Sequence, residues 1–287
     1  MSKSNSLSAA SVPARKRGRG WRRDWPLNLA LLFLAVLTYL PFAMMLQQSF
    51  KDNRQYFTSF WLPTFPLHFE NYTKAFPIIY STVLNTIMYA IPTLLLVLTI
   101  SGLAGFAFAR YQFPGKDFIF MAMLLLIMLP GILLVIPMFV QIVDMGWTNS
   151  IQAVVLPWAA VQIPFGMFLM RTFFETLPRE YFEAARLDGA SESQLFLRIA
   201  LPLALPAFST LGILTLLFTW NDIIWPLIVL LDTTLYPIAI GVLSFSNAQA
   251  SNYGVNFAGY VLASLPLIIV FVFTVRRFMA GLQGGYR

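Results

Sequence analysis

A chain of 287 residues with 58% hydrophobic side chains, only 11% charged ones and a net charge of +7 departs from ordinary soluble domains, where about a quarter of residues are charged. The excess apolar surface requires lipid as its solvent, and the complete lack of cysteine excludes disulfides, iron–sulfur clusters and thiolate metal sites. The basic residues sit at the edges of apolar stretches rather than on one folded face, which argues against nucleic acid as a partner.

In chain order, residues 1–24 form a Ser-rich, basic arm, expected to be disordered, cytoplasmic and near anionic headgroups. Residues 25–287 are expected to form one all-α membrane domain of six transmembrane helices. Each apolar stretch is near the about 20 residues needed to cross a bilayer. They fall at about 25–47, within 75–109, and at about 118–143, 150–170, 205–231 and 257–275. The first exceeds a secretory h-region in length and has no small-residue cleavage pattern after it, so it reads as a retained helix. Asp222 interrupts the fifth.

Sixteen Lys and Arg residues fall before the first stretch, between the second and third, between the fourth and fifth, and after the sixth; only Lys51, Arg54 and Lys74 fall on the other side. Because basic loops resist translocation, both termini are expected to be cytoplasmic and the protein to be multi-pass in the cell (inner or plasma) membrane.

The external segment 49–77 carries Trp61, Phe65, Phe69, Tyr72 and several prolines, which suits an interfacial loop with short helical pieces. A second external segment, 244–256, is rich in Ser, Asn and Gln and suits a pore mouth. Prolines 41, 92, 130, 137, 157, 164, 226 and 266 place kinks in the spans, tolerated where neighbouring helices or water satisfy freed carbonyls. Ser101, Gly105 and Ala109 put small side chains on one face of the second span, which permits close approach of another helix.

The loop at 173–204 is densely charged and reads as two short helices. Pro178 suits a first turn, Glu180 and Glu183 suit the helix N-terminal end, Gly189 suits a left-handed stop, and Ser191 with Gln194 forms a capping-box pattern. Within it stand Glu183, Ala184, Ala185, three residues, Gly189, nine residues, then Ile199, one residue, Leu201 and Pro202. This spacing resembles the EAA motif of ATP-binding-cassette (ABC) importer permeases. Phe218, Thr219, Trp220, Asn221 and Asp222, with Trp225, Pro226 and Leu227, resemble the fifth helix of carbohydrate importers of the maltose-transporter type. The ending Phe278 to Gly285 is similar too, and the likeness is greatest to the second, six-helix permease of that system.

The resemblance implies a type I ABC importer permease. It would work with a second permease subunit, two cytoplasmic ATP-binding subunits and an extracytoplasmic solute-binding protein. It would carry a sugar, polyol or glycerol-phosphate compound. Glu183, Ala184, Ala185, Asp188, Gly189, Ile199, Leu201 and Pro202 would then form the ATPase-coupling surface, joined by Gln283 and Gly284 near the C-terminus. ATP and Mg would be bound by the partner subunits and no cofactor by this chain.

The residues themselves supply further constraints. Where an ATP-binding loop would need its first glycine stands Arg110, and Lys116 is followed by Asp117. No nucleophile–base or metal constellation is visible, and His68, the single histidine, falls in the first external loop. An intramembrane enzyme is therefore disfavoured, with no catalytic or metal site expected. An ion-coupled secondary transporter is the rival reading, for which Asp222 is the one ionisable candidate deep in a span. A polar pair at depth costs about 2 to 3 kcal/mol if it faces lipid, so Asn221 and Asp222, flanked by Trp220 and Trp225, are candidates for the translocation path. Helix packing is the equally weighted alternative for the pair.

Overall fold

The computed structural model describes residues 25–284, with side chains to position 272; the arm at 1–24 and residues 285–287 lie outside the described residues. The described chain is helical and contains no strand. Its twelve helices are α1 Trp25–Gln48, α2 Asn53–Thr58, α3 Glu70–Arg110, α4 Lys116–Met128, α5 Val135–Asp144, α6 Ile151–Thr176, α7 Arg179–Leu187, α8 Glu192–Leu203, α9 Leu205–Asn221, α10 Ile224–Val229, α11 Ile238–Ala248 and α12 Tyr253–Gly284.

Four helices, α1, α3, α6 and the described part of α12, are long and apolar enough to cross a bilayer singly. Two bent pairs, Lys116–Met128 with Gly131–Asp144 and Glu192–Leu203 with Leu205–Asn221, pass the same test when each is taken as one span, which makes up to six, the number expected. Residues 25–45 form one compact unit, a single helix with apolar residues on every side, as a lipid-surrounded span requires.

In the second unit, residues 46–287, α3 is the spine. Its 41 residues make a rod of about 60 Å, longer than the bilayer with its headgroups. It packs along α6 and also against α9, α11 and α12. The close approach of α3 and α6 occurs at the stripe of small residues anticipated above. Ser101 and Gly105 are buried there, and a Cβ on Gly105 would stand 2.6 Å from the Met170 Cβ and 2.8 Å from the Arg171 nitrogen. Only glycine lets the two backbones meet at that point.

Two expected spans are not continuous, and both departures have a local cause. The third, expected over 118–143, breaks after Met128. Leu129, held extended by the following proline (ψ 125°), leads into a 3₁₀ turn at Gly131–Leu134 and then α5, with a 98° bend overall. The fifth, expected over 205–231, ends as a helix at Asn221, where Asp222 is extended (ψ 119°) and α10 restarts at Ile224. Pro226 lies four residues beyond Asp222, and its ring would clash with that residue's carbonyl in a continuous helix. Asp222 thus stands at a helix end rather than within a helix. At its other end α9 meets α8 at a 75° bend, with Pro206 in its first turn.

The segment between α1 and α3 contains the short helix α2, opened by a reciprocal capping box between Asp52 and Gln55. Lys51, buried, donates its Nζ to the Ser59 and Phe60 carbonyls at 2.5 and 3.2 Å, and Gln48 also reaches Phe60. Polar residues of α3 anchor the 230–238 segment in the same manner. Asn85 Nδ2 donates to the Thr234 and Tyr236 carbonyls, and Thr86 Oγ1 accepts from the Ile238 N–H at 2.7 Å.

Candidate functional site

The charged loop folds as a helical hairpin in which the glycine stop and the capping box are realised, whereas Pro178 stands at the N-cap rather than in the first turn and Glu183 at mid-helix. Helix α7 follows Pro178, which occupies the N-cap, and ends at Asp188; Gly189 has φ +82°, and its N–H reaches the Arg186 carbonyl. Ser191 and Gln194 then make the reciprocal capping box that opens α8. The middle of α8, Leu195–Ala200, winds in wider π turns, with the Leu201 N–H reaching Phe196. The widening falls directly before Pro202, which has no N–H to give to an α-helical ladder.

One face of the hairpin is fixed by an aromatic cluster. Phe182 is 3% exposed and packs with Phe106, Phe174, Leu195 and Ala200, while Ala185 and Ile199 are half-buried against the same core. The ring of Phe106 lies 5.5, 5.9 and 5.4 Å from those of Phe174, Phe182 and Phe196. Arg110, the last residue of α3, completes this attachment. Its Nη2 donates to the Phe174 and Leu177 carbonyls at the end of α6, at 2.7 and 2.8 Å, and its guanidinium lies 4.2 Å from the Phe182 ring centroid. A cation over an aromatic face, joined to two carbonyls at a helix end, is a strong mooring.

A second mooring ties the start of α8. The Tyr111 hydroxyl donates to the Glu192 carboxylate, which also pairs with Arg186 at 3.2 Å. Burial, and then the Glu192 carboxylate, push the Tyr111 phenol up to about 12, so at neutral pH it remains a donor.

The opposite face is open. Glu183, Ala184, Asp188 and Gly189 are exposed, and Leu187 at the tip is 90% exposed. Glu183 makes no ion pair among the described residues. Leu201 is half-buried and Pro202 exposed. Gln283 and Gly284 form the last described turn of α12, and their side chains lie outside the described residues. The hairpin therefore brings together Glu183, Ala184, Ala185, Asp188 and Gly189, while Ile199 lies in the π-wound stretch of α8 and Leu201 and Pro202 follow it in the last turn.

The four path candidates do not meet at one place. Trp220 is buried among Ala75, Ile79, Ile238 and Phe245, whereas Trp225 is buried with Tyr89, Val154 and Trp158. Asn221 is exposed and donates to the Leu217 carbonyl of its own helix at 2.7 Å. Asp222 is the residue with an unusual setting. Its Oδ2 accepts from the indole Nε1 of Trp158 at 2.6 Å, and its Oδ1 accepts from the Ile224 N–H at 3.1 Å, bridging the helix break. Trp225 is locked by its own indole, which donates to the Ala153 carbonyl at 2.8 Å.

Asp222, Trp158 and Trp225 border a cavity of about 160 Å³, otherwise apolar, whose far wall is Gly131, Ile132, Val135 and Met138. Two helix breaks, one in each bent span, thus face the same space. Non-helical backbone at membrane depth is found where it is buried in protein or lines a cavity.

The sequence reading missed Trp158, Arg110, Phe182, Tyr111 and Glu192. Arg110 ends an apolar span between two aromatics, Phe106 and Tyr111, a pattern consistent with an interior mooring. Nothing in the sequence pairs Trp158 with Asp222, which is 64 positions away.

The family model described as a binding-protein-dependent transport system inner membrane component matches residues 101–284. The arabinooligosaccharides transport system permease protein AraQ of Halalkalibacterium halodurans is 31% identical over 269 residues, covering 91% of this chain and 95% of that one. The diacetylchitobiose uptake system permease protein NgcG of Streptomyces coelicolor is 30% identical over 281 residues, covering 96% and 93%. Among solved structures, a chain of a bacterial ABC transporter involved in the import of the acidic polysaccharide alginate superposes with a TM-score of 0.76. It covers 92% of this chain and 100% of that one at 21% identity, a likeness of fold.

Proposed function

The chain belongs to the family of inner membrane components of binding-protein-dependent transport systems, and on that premise we propose that it is one of two permease subunits of an ATP-driven importer for an oligosaccharide or related sugar. The observation that carries the coupling part of this reading is the open face of the α7–α8 hairpin. It presents an unpaired Glu183 carboxylate and a small Ala184 surface beside a left-handed turn at Gly189. A carboxylate so placed suits a charge-assisted bond to an arginine of an ATP-binding subunit.

In this reading two cytoplasmic subunits hydrolyse ATP with Mg, this chain itself is not the enzyme, and an extracytoplasmic solute-binding protein delivers the sugar. The basic-residue asymmetry supports placing the hairpin and both termini in the cytoplasm. The names of the relatives support a carbohydrate solute. Gln283 and Gly284 are assigned to the same ATPase contact by their resemblance to the family ending.

The cavity at the two helix breaks is assigned to the solute path. Asp222 and the two indoles supply the combination of polar group and flat ring that suits a sugar's hydroxyls and C–H faces. Alternating access would then open this space to each side in turn.

The test is uptake of labelled oligosaccharides by proteoliposomes containing this chain with its companion permease, ATP-binding subunits and binding protein. Uptake is expected to require ATP inside and binding protein outside. Uptake driven by a proton or sodium gradient without the ATP-binding subunits would establish the ion-coupled reading instead.

A further inference from the structure

Beside the aromatic mooring of α7 lies a small polar concavity of about 180 Å³ bordered by Arg110, Gln112, Arg179, Phe182, Glu183 and Arg186. Three guanidinium groups face one carboxylate there, so the walls carry a net positive charge. The volume equals that of about six waters at roughly 30 Å³ each, room for one small oxyanion and its remaining hydration.

The cations are unevenly committed. Arg186 is paired with Glu192, and Arg110 spends Nη2 on the Phe174 and Leu177 carbonyls. Yet the Arg110 Nε–H is buried with no partner, and the Arg179 side chain forms no ion pair or hydrogen bond among the described residues. The buried Nε–H lies out of reach of solvent, so Arg179 is the cation whose fork is open to an acceptor entering the concavity. Glu183 sits on the rim without neutralising Arg179.

We propose that this concavity is an anion site for a phosphate-type group, held chiefly by the uncommitted Arg179 in the field of the Arg110 and Arg186 guanidinium groups, and lying against the moored side of the α7–α8 hairpin. The planar fork of arginine matches phosphate oxygens two at a time. The group comes either from soluble phosphate or from the headgroup of an anionic lipid, since basic pockets near the cytoplasmic ends of spans recognise such headgroups. Because Arg110, Phe182 and Glu183 share the wall, occupancy bears directly on the position of α7. This inference goes beyond the transport reading and does not require it.

The experiment uses the full-length chain alone, purified in detergent, titrated with inorganic phosphate against chloride at matched ionic strength and followed by calorimetry. Saturable phosphate binding is expected, weakened about tenfold by Arg179→Gln, the loss of one charge-assisted hydrogen bond. Arg179→Lys, which keeps the charge and loses the fork, should fall between the two. Glu183→Gln, which removes the one opposing charge, is expected to tighten binding severalfold.

Repeating the titration in nanodiscs of phosphatidylcholine with or without phosphatidylglycerol separates the sources. Abolition of phosphate binding by phosphatidylglycerol identifies a lipid headgroup, and equal binding in both identifies the soluble anion. The proposal is overturned if neither phosphate binding nor phosphatidylglycerol retention is detected, or if both position-179 variants and Glu183→Gln leave binding unchanged while the proteins remain monodisperse. Since the readout is binding by this chain without its companions, its failure leaves the transport reading untouched.

Discussion

The indole of Trp158 in α6 holds the carboxylate of Asp222 at the end of α9, 2.6 Å away. An acidic residue at a helix break is thus stabilised by a donor from a different span, and the break itself is capped by the same carboxylate through Ile224. Trp158→Phe removes the donor and leaves a smaller ring in a nearly fully buried site, so a cavity cost adds to the loss of the bond. Leaving the Asp222 oxygen without it is expected to cost about 1 to 3 kcal/mol, seen as a lower thermal midpoint in detergent. With Asp222→Ala in the same chain, the two losses should be less than additive; full additivity would mean that the bond contributes nothing.

Replacing Gly189 tests the tip of the hairpin. A Cβ there meets nothing within 4 Å, so the penalty is conformational and arises from φ +82°. Gly189→Val is expected to cost about 1 to 2 kcal/mol and to reduce copurification with the ATP-binding subunit, while Gly189→Asn, tolerant of that conformation, is milder. Normal copurification of the valine variant would remove the turn from the contact.

Glu183→Ala should leave membrane insertion intact, because the side chain is exposed and unpaired. The expected loss is in solute-stimulated ATP hydrolysis by the reconstituted complex, with a smaller effect on assembly than Gly189→Val. Unchanged stimulation would locate the coupling contact elsewhere on the hairpin.

Arg110→Met removes both hydrogen bonds to the end of α6 while keeping an apolar side chain near Phe182. Opening of the hairpin is expected to rise about tenfold for each 1.4 kcal/mol lost. Limited trypsin cleavage after Arg179, which follows the open fraction when reclosing is fast, measures it. A cleavage rate equal to that of the parent chain would show that the aromatic cluster alone secures α7.

Since the chain has no cysteine, Asn221→Cys places one thiol at the exposed end of α9. A water-soluble thiol reagent should label it in one nucleotide state and not in the other if the two helix breaks border the solute path. Inertness in both states, with uptake preserved, would assign this helix end to packing.

The hairpin was legible because its determinants are local. A left-handed glycine and a Ser-x-x-Gln box each act over a few residues, and both occur where the sequence places them. The six spans were legible for the same reason that membrane helices usually are: each must satisfy its own backbone hydrogen bonds. The two breaks were obscured because an apolar stretch has the same composition whether straight or bent. Their signals were Pro130 followed by Gly131, and Asp222 four residues before Pro226. The Trp158–Asp222 bond and the Arg110 mooring depend on which helices become neighbours, a property of packing that no single segment encodes.

Helix α3 acts as a ruler. Asn85 grips the carbonyls of Thr234 and Tyr236, and Arg110, about 37 Å further along the axis, grips those of Phe174 and Leu177. One residue inserted between them would advance the distal end by about 1.5 Å and turn it through about 100°, so both grips could not close on their present partners. A substitution in this stretch is therefore tolerated on different terms from an insertion: the first changes a local contact, the second changes the phase between the two ends of the protein.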